Sequence, residues 1–309
     1  MRTLRAVAEL RAALAQTRRA GRTIALVPTM GFLHEGHLSL IAAARDQADE
    51  VVVSLFVNPA QFDEASDLDA YPRDEARDAG LAAQAGAHLL FAPPVQEMYP
   101  AGFTTQVRVQ GPLTEELEGA HRGAAHFHGV TTVVTKLLNM VAPDVALFGQ
   151  KDAQQTLVIQ RLVTDLDLPV RIEVAPTIRE EDGLARSSRN VRLGGDDRRR
   201  ALALSRALRA AEQALAAGTS DAATLLAAAR AAMDDFDVEP EYLALVDPED
   251  LRPVATVDQE TLLAVAARVG QVRLIDNTVL SPELHHRRGY ADGDPPLAAG
   301  VNRTDPQEV

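Results

Sequence analysis

The sequence predicts an α/β fold: a doubly wound, mostly parallel sheet followed by a smaller α+β domain. Three observations carry this. Short apolar runs alternate with helical stretches from residue 24 to residue 178. Beyond Asn190 the pattern changes to two alanine-rich helices and three short strands. At 309 residues, the chain also exceeds what one core ordinarily serves, about 250–300 residues.

Leu4, Val7, Leu10 and Leu14 recur at helical spacing and predict a core-packing helix, despite an arginine-rich opening that resembles a transit peptide. Thr23–Val27 reads as a buried strand stopped by Pro28, and a helix follows from Gly36 to Ala48. Glu50–Val57 is the second strand, ended by Asn58-Pro59, with a helix over Arg73–Ala85 after it. His88–Ala92 is the third, closed by Pro93-Pro94. Thr104–Gln110 alternates polar and apolar residues, as a separate strand or a sheet edge would. A helix over Val130–Met140 leads to the strand Asp144–Gly149, a helix over Ala153–Leu166 and a last strand, Val170–Ile178. This alternation implies right-handed βαβ crossovers. The later elements are helices at Asp196–Ala217 and Asp221–Met233 and strands near Tyr242–Val246, Leu262–Arg268 and Val272–Asn277. Ser281–Val309, rich in Pro, Gly and charge, is expected to be a disordered tail.

Lys and Arg number 31 against 44 Asp and Glu, a net charge of −13 that disfavours a nucleic-acid partner but leaves room for a local anion pocket. No cysteine is present, which removes disulfides, zinc-thiolate sites and thiol nucleophiles and is compatible with a reducing cytoplasm. No apolar run approaches the ~18 residues of a membrane span, and no signal-peptide core follows the start.

Four loops follow four strands, at Pro28–His37, Asn58–Phe62, Gly149–Gln155 and Arg179–Asn190, and such ends converge on one cleft in a doubly wound sheet. His34 and His37 share a face at a helix start, where free N–H groups attract phosphate. Gly149 permits close backbone approach, Lys151 offers a point charge, and Asp152 suits a ribose hydroxyl or Mg²⁺. Taken alone, that last motif is more commonly a solvated Lys-Asp pair at a helix start. Ser187, Ser188 and Arg189 offer hydroxyls and a guanidinium to a polyphosphate. Asn58 and Gln61 set two neutral amides beside an apolar wall, which suits a small hydroxy acid with methyl groups.

Together these segments resemble the pantothenate synthetase family over Met1–Leu280. The resemblance rests on Pro28-Thr29-Met30-Gly31 with His34-Glu35-Gly36-His37, Phe56–Phe62, Asp69-Ala70-Tyr71-Pro72-Arg73, Leu117-Glu118-Gly119, His126-Phe127, Lys151-Asp152 with Gln154-Gln155, and Ser187-Ser188-Arg189-Asn190. It implies an ATP-dependent ligase joining pantoate to β-alanine through an acyl-adenylate. ATP would fall to Met30, Gly31, Phe32, Leu33, His34, Glu35, Gly36 and His37, to Gly149, Gln150, Lys151 and Asp152, and to Ile178, Arg186, Ser187, Ser188 and Arg189. Pantoate would fall to Gln61 and Gln155, with Asn58 beside them. The resemblance gives the catalytic work to His34, His37, Lys151, Ser187, Ser188 and Arg189, with His37 as the proton donor and Mg²⁺ on the triphosphate. It also implies a cytoplasmic homodimer with a Rossmann-like domain over 1–185, a closing α+β domain over 186–280 and the tail over 281–309.

The chain departs from that family pattern in three places. Arg186 stands where methionine is usual, Gln150 where an acid is usual, and Arg122–Phe127 is one residue longer and lacks proline, the mark of a more mobile loop. His121, His126 and His128 lack a carboxylate or thiolate at fitting spacing, so no protein-held metal is expected. Two other readings stand beside the ligase: a related nucleotidyltransferase with another acceptor, and a non-catalytic nucleotide-binding regulator.

Overall fold

The computed structural model describes residues 1–62 and 65–282. Six strands form the first sheet: β1 (Arg2–Leu4), β2 (Ile24–Thr29), β3 (Glu50–Leu55), β4 (Leu89–Phe91), β5 (Val145–Gly149) and β6 (Arg171–Ala175). All pair in parallel, in the order β1-β4-β3-β2-β5-β6. Successive residues of β2 face opposite sides of the sheet, as the period of a strand requires. Ile24 and Leu26 pack with Leu10 and Leu14 of the helix Val7–Arg19 and with Val134 and Leu137 of the helix Ala124–Val141. Ala25 and Val27 pack with Leu40, Ile41 and Ala44 of the helix Glu35–Gln47. Burial on both faces is the reason these strands read as unbroken apolar runs.

The second sheet is antiparallel and joins β7 (Pro240–Val246), β8 (Thr261–Val269) and β9 (Val272–Leu280). Helices Leu202–Ala216 and Ala222–Asp234 cover one of its faces through Leu204, Leu208, Leu225 and Met233. From the other face Val246, Leu262 and Ala264 share a core with Leu113, Phe127, Ala153 and Val158 of the first body. That shared core fixes how the two bodies meet.

The structure differs from the sequence expectation at several points. Leu4 belongs to strand β1, and the helix begins only at Val7. Thr104–Gln110 forms no strand. Its alternation reflects anchoring on a helix, since Val107 donates its N–H to the Thr132 hydroxyl and accepts at its carbonyl from Thr131. Arg122–Phe127 is a helix end, a glycine at φ 79° and the start of the long helix Ala124–Val141. Asp196–Ala217 divides into Gly195–Arg200 and Leu202–Ala216, and the strand expected over Val170–Ile178 stops at Ala175. Apart from its first two residues, the tail expected over 281–309 lies outside the described residues.

Candidate active site

Strands β2, β3 and β4 advance to one side, and the chain then returns to lay β5 and β6 on the other. The loops after β2 and β5 therefore diverge at the switch point of the sheet, where doubly wound folds bind ligands. A cleft of about 720 Å³ opens there, roofed by residues 186–189 and by Asn277 of β9.

The loop after β2 is held by a residue the sequence motifs do not reveal. Asp78, 1% exposed on the helix Glu75–Ala85, accepts the backbone N–H groups of Phe32 at 2.6 Å and Leu33 at 2.8 Å. Gly31 has φ 90° and Phe32 φ 50°, and a Cβ on Gly31 would lie 2.8 Å from Leu55 Cδ1. Only glycine fits that turn. The loop thus delivers His34 as N-cap of the helix Glu35–Gln47.

Histidine caps histidine at this helix start. His34 Nδ1 accepts the Gly36 N–H at 3.2 Å, and His37 Nδ1 accepts the His34 N–H at 3.3 Å. The ring centroids are 4.2 Å apart. An Nδ1 that accepts carries no proton, so both imidazoles are neutral Nε2–H tautomers. Burial, then the repulsion a protonated His34 would exert, lowers the His37 pKa to about 3; burial, then Lys151, lowers that of His34. Both rings line the cleft as neutral donors.

Beyond β5 the backbone makes a 3-10 turn over Gln150–Asp152 before the helix Ala153–Asp165. Lys151 Nζ sits 3.6 Å from Asp152 Oδ1, both on the cleft wall with Gln155 one turn on. Burial opposes ionisation of Asp152, but Lys151, Arg189 and Arg122 outweigh it and hold its pKa below the usual carboxylate value. Gln150 turns away from the cleft: its side chain bonds Asn277 Oδ1 at 3.0 Å, while Asn277 Nδ2 donates to the Gln150 and Lys151 carbonyls. Asn277 thereby pins the turn to the second sheet.

The loop between β6 and the later helices is braced on both sides. Arg179 makes a bidentate pair with buried Asp276 at 2.6 and 3.0 Å, and Asn190 Nδ2 donates to Glu180 Oε1 and to the Ala185 carbonyl. Ser187 caps its own turn by accepting the Arg189 N–H, and Ser188 shares a hydrogen bond with Tyr71. Arg186 Nη1 reaches Glu35 Oε2 at 3.3 Å, which ties the roof to the first turn of the histidine helix.

The amide pocket lies at the other end of the cleft. A Cβ on Gly129 would fall 2.1 Å from the Ala60 carbonyl oxygen, so the helix Ala124–Val141 touches the 3-10 turn Pro59–Gln61 only because that residue is glycine. Asn58 is 1% exposed and donates to Gln61 Oε1 at 3.0 Å and to the Gly129 carbonyl at 3.1 Å. Phe56, Val130, Val134 and Leu137 supply an apolar wall beside it.

The structure thus brings Met30, His34, Gly36, His37, Asn58, Gln61, Gly149, Lys151, Asp152, Gln155, Ile178, Arg186, Ser187, Ser188 and Arg189 to one cleft. Gly31, Phe32, Leu33, Glu35 and Gln150 stand outside its lining: Leu33 is core, Phe32 lies under the Arg77 guanidinium, and Glu35 is at the rim with Arg186. His126 Nδ1 meets the Gln61 carbonyl at 2.7 Å, and His121 lies 3.9 Å from Glu241. No cluster of three His, Cys, Asp or Glu residues suited to a metal ion occurs among the described residues. Glu118, within the Leu117-Glu118-Gly119 motif, has partners that the motif does not reveal. It is buried, paired with Arg273 at 2.7 and 2.9 Å and with Arg122 at 3.0 Å, and it accepts the Tyr242 hydroxyl. This network ties the two bodies together on the cleft wall, which Glu118, Arg122, Tyr242 and Arg273 all line.

The model of the Pantoate-beta-alanine ligase family matches residues 2–279. Pantothenate synthetase 1 of Bradyrhizobium diazoefficiens is 53% identical over 282 residues, covering 91% of this chain and 99% of its own length. A crystal structure of pantothenate synthetase from Thermus thermophilus superposes with a TM-score of 0.85 at 48% identity, covering 90% of this chain and 99% of that one. The Francisella tularensis pantoate-beta-alanine ligase, complexed with beta-gamma ATP and beta-alanine, gives 0.74 at 31% identity, covering 90% and 97%. With a family match over nearly the whole described chain and relatives of this identity and coverage, the chain belongs to the pantoate-beta-alanine ligase family.

Proposed function

We propose that this chain condenses pantoate with β-alanine in two steps at the cleft. The pantoate carboxylate attacks the α-phosphorus of ATP and pyrophosphate leaves; the β-alanine amine then attacks the acyl carbon, and AMP and a proton leave. The observation that carries the reading is the neutral histidine pair at a helix N-terminus, with Lys151 and Arg189 lining the same cleft. Two Nε2–H donors and two cations match a triphosphate whose charge shifts toward the leaving oxygen. The apolar wall and the Gln61 amide match a hydroxy acid bearing methyl groups, as Gln155 does from the facing turn. A phosphorylated acceptor would call for further Arg or Lys there, which disfavours the nucleotidyltransferase alternative.

ATP enters as its Mg²⁺ complex. The residues present fit an ion carried on phosphate oxygens and water better than a protein-held one, because Asp78 is committed to the loop and Asp152 to Lys151. In this reading the body from residue 186 closes over the nucleotide through Arg186, Ser187, Ser188 and Arg189, and the first body over 1–185 binds both substrates of the first step. A homodimer working in the cytoplasm completes the proposal, and light scattering of the purified chain tests the assembly.

Positional isotope exchange tests the chemistry. ATP labelled in its β-nonbridging oxygens should move label into the α,β-bridge when pantoate is present and β-alanine absent, because bound pyrophosphate rotates before resynthesis. Exchange that required β-alanine, or release of ADP and phosphate, would overturn the adenylate route.

A further inference from the structure

Asn58 has every hydrogen-bonding position of its amide in use. Its Oδ1 accepts the Tyr99 hydroxyl at 2.7 Å and the Ala60 N–H at 3.3 Å, while its Nδ2 donates to Gln61 Oε1 and to the Gly129 carbonyl. An amide so placed cannot turn over without losing several bonds at once, and it has no N–H left for a ligand. Gln61 inherits its orientation. With Oε1 bound to Asn58, its Nε2 points the other way, one N–H meeting Met30 Sδ at 2.9 Å and the second remaining for an acceptor in the cleft. Tyr99 starts this chain from outside the cleft, 41 residues from Asn58 in sequence, packed against Phe56 and Phe103. Burial raises its pKa to about 12, so the phenol keeps its proton at any working pH.

We propose that Tyr99 is a positioning residue for pantoate: its hydroxyl fixes the Asn58 amide, and Asn58 in turn holds Gln61 with its NH₂ toward the substrate. The Tyr99 hydroxyl is the shortest of the contacts that set this polarity, beside the Ala60 N–H on Oδ1 and the Gly129 carbonyl on Nδ2. If Asn58 Oδ1 loses that donor, the amide is held less firmly, and a reversed Asn58 would present oxygen to Gln61 and turn the Gln61 NH₂ away from the cleft. The proposal rests on the assignment of pantoate to this pocket.

Steady-state kinetics of Tyr99→Phe, Gln61→Ala and the double variant test it. Tyr99→Phe should raise the pantoate KM about ten-fold and leave the ATP KM within about two-fold, the scale of one lost hydrogen bond. In the Gln61→Ala background the same change should add nothing, because the relay ends at Gln61. An unchanged pantoate KM, a parallel rise in the ATP KM, or full additivity with Gln61→Ala would overturn it. A readout independent of turnover separates this from failure of the ligase reading: the Gln61 side-chain NH₂ resonances, assigned by their loss in Gln61→Ala, should shift in Tyr99→Phe. Resonances that stay in place refute the relay even if the ligase reaction is confirmed. If Tyr99→Phe does not fold, Asn58→Asp reads the same relay, since a carboxylate cannot donate to Gln61. It should raise the pantoate KM at least as much and move the same resonances, and failure to do so also refutes it.

Discussion

The Asp78 carboxylate accepts the backbone N–H of Phe32 at 2.6 Å, from a helix 46 residues further along the chain. The same carboxylate takes the next N–H, that of Leu33, so one buried side chain holds a turn whose non-glycine residue sits at φ 50°. A left-handed conformation of this kind persists only where its surroundings enforce it. Asp78→Ala should leave two N–H groups without a partner, lower stability by about 1–3 kcal/mol and raise the ATP KM, because the loop presents His34. Thermal melts and ATP titrations check this; an unchanged ATP KM would detach the loop from nucleotide binding.

The neutral histidines give a prediction about pH. His37 has its pKa lowered from 6.5 to about 3, so the folded protein disfavours its charged form. Its contribution to stability is complete above about pH 6.5 and is lost as pH falls toward about 3. Activity should therefore show no gain on acidification through pH 6.5, since a charged His37 is not the working form. His37→Ala should lower turnover roughly 10²–10³-fold, the scale for one preorganised donor. His37→Gln, which keeps a neutral N–H, should retain more activity than the alanine variant. A rate that rose with protonation near pH 6 would show instead that an imidazolium donates the proton.

Much of this site was legible because its parts are contiguous. A histidine pair, a Gly-x-Lys-Asp turn and a Ser-Ser-Arg loop each follow a strand, and the α/β alternation places strand ends together. The groups that hold those parts in place were not legible. Asp78, Tyr99 and Asn277 reach their partners across 46, 41 and 127 residues, and each is an ordinary residue in an ordinary local pattern. Asp78 looks like any charge on an alanine-rich helix until its burial is known. The strand Arg2–Leu4 is three residues long and carries no period, while Thr104–Gln110 carries one for a different reason, the anchoring of Val107 on two threonines.

Glu118 and Arg273 join the two bodies, and their pairing also titrates. Burial alone would raise the Glu118 pKa, but the Arg273 and Arg122 bonds prevail and bring it to about 2 from 4.5. The stability it contributes is present above about pH 4.5 and is lost as pH falls toward about 2. Glu118→Gln should cost about 3–5 kcal/mol, since it leaves the Arg273 charge half-partnered in a buried setting, and should flatten the acid limb of the stability curve over that window. Denaturant melts from pH 2 to 7 test this. An acid limb of unchanged slope would show that other carboxylates govern it.

Arg186 and Glu35 face each other across the cleft mouth at 3.3 Å, with side chains 37% and 59% exposed. A pair this open contributes little to stability, about 0–1 kcal/mol, so its consequence should appear in binding. Arg186 lines the cleft while Glu35 stands at its rim, and the Nε of Arg186 is buried without a partner. An entering triphosphate offers the guanidinium a stronger acceptor than Glu35 does. Glu35→Gln should then lower the ATP KM by about two- to five-fold, because the cation is released to the nucleotide, and Arg186→Met should raise it by a similar factor. Both effects should shrink as salt is added, because exposed charges are screened within about 8–10 Å. Neither variant should move the melting temperature of the free protein by more than about 2–4 °C, the shift produced by 1 kcal/mol in a chain of this size class. If Glu35→Gln instead raised the ATP KM, the carboxylate would be acting on the nucleotide side of the pair, and the arginine would be its support.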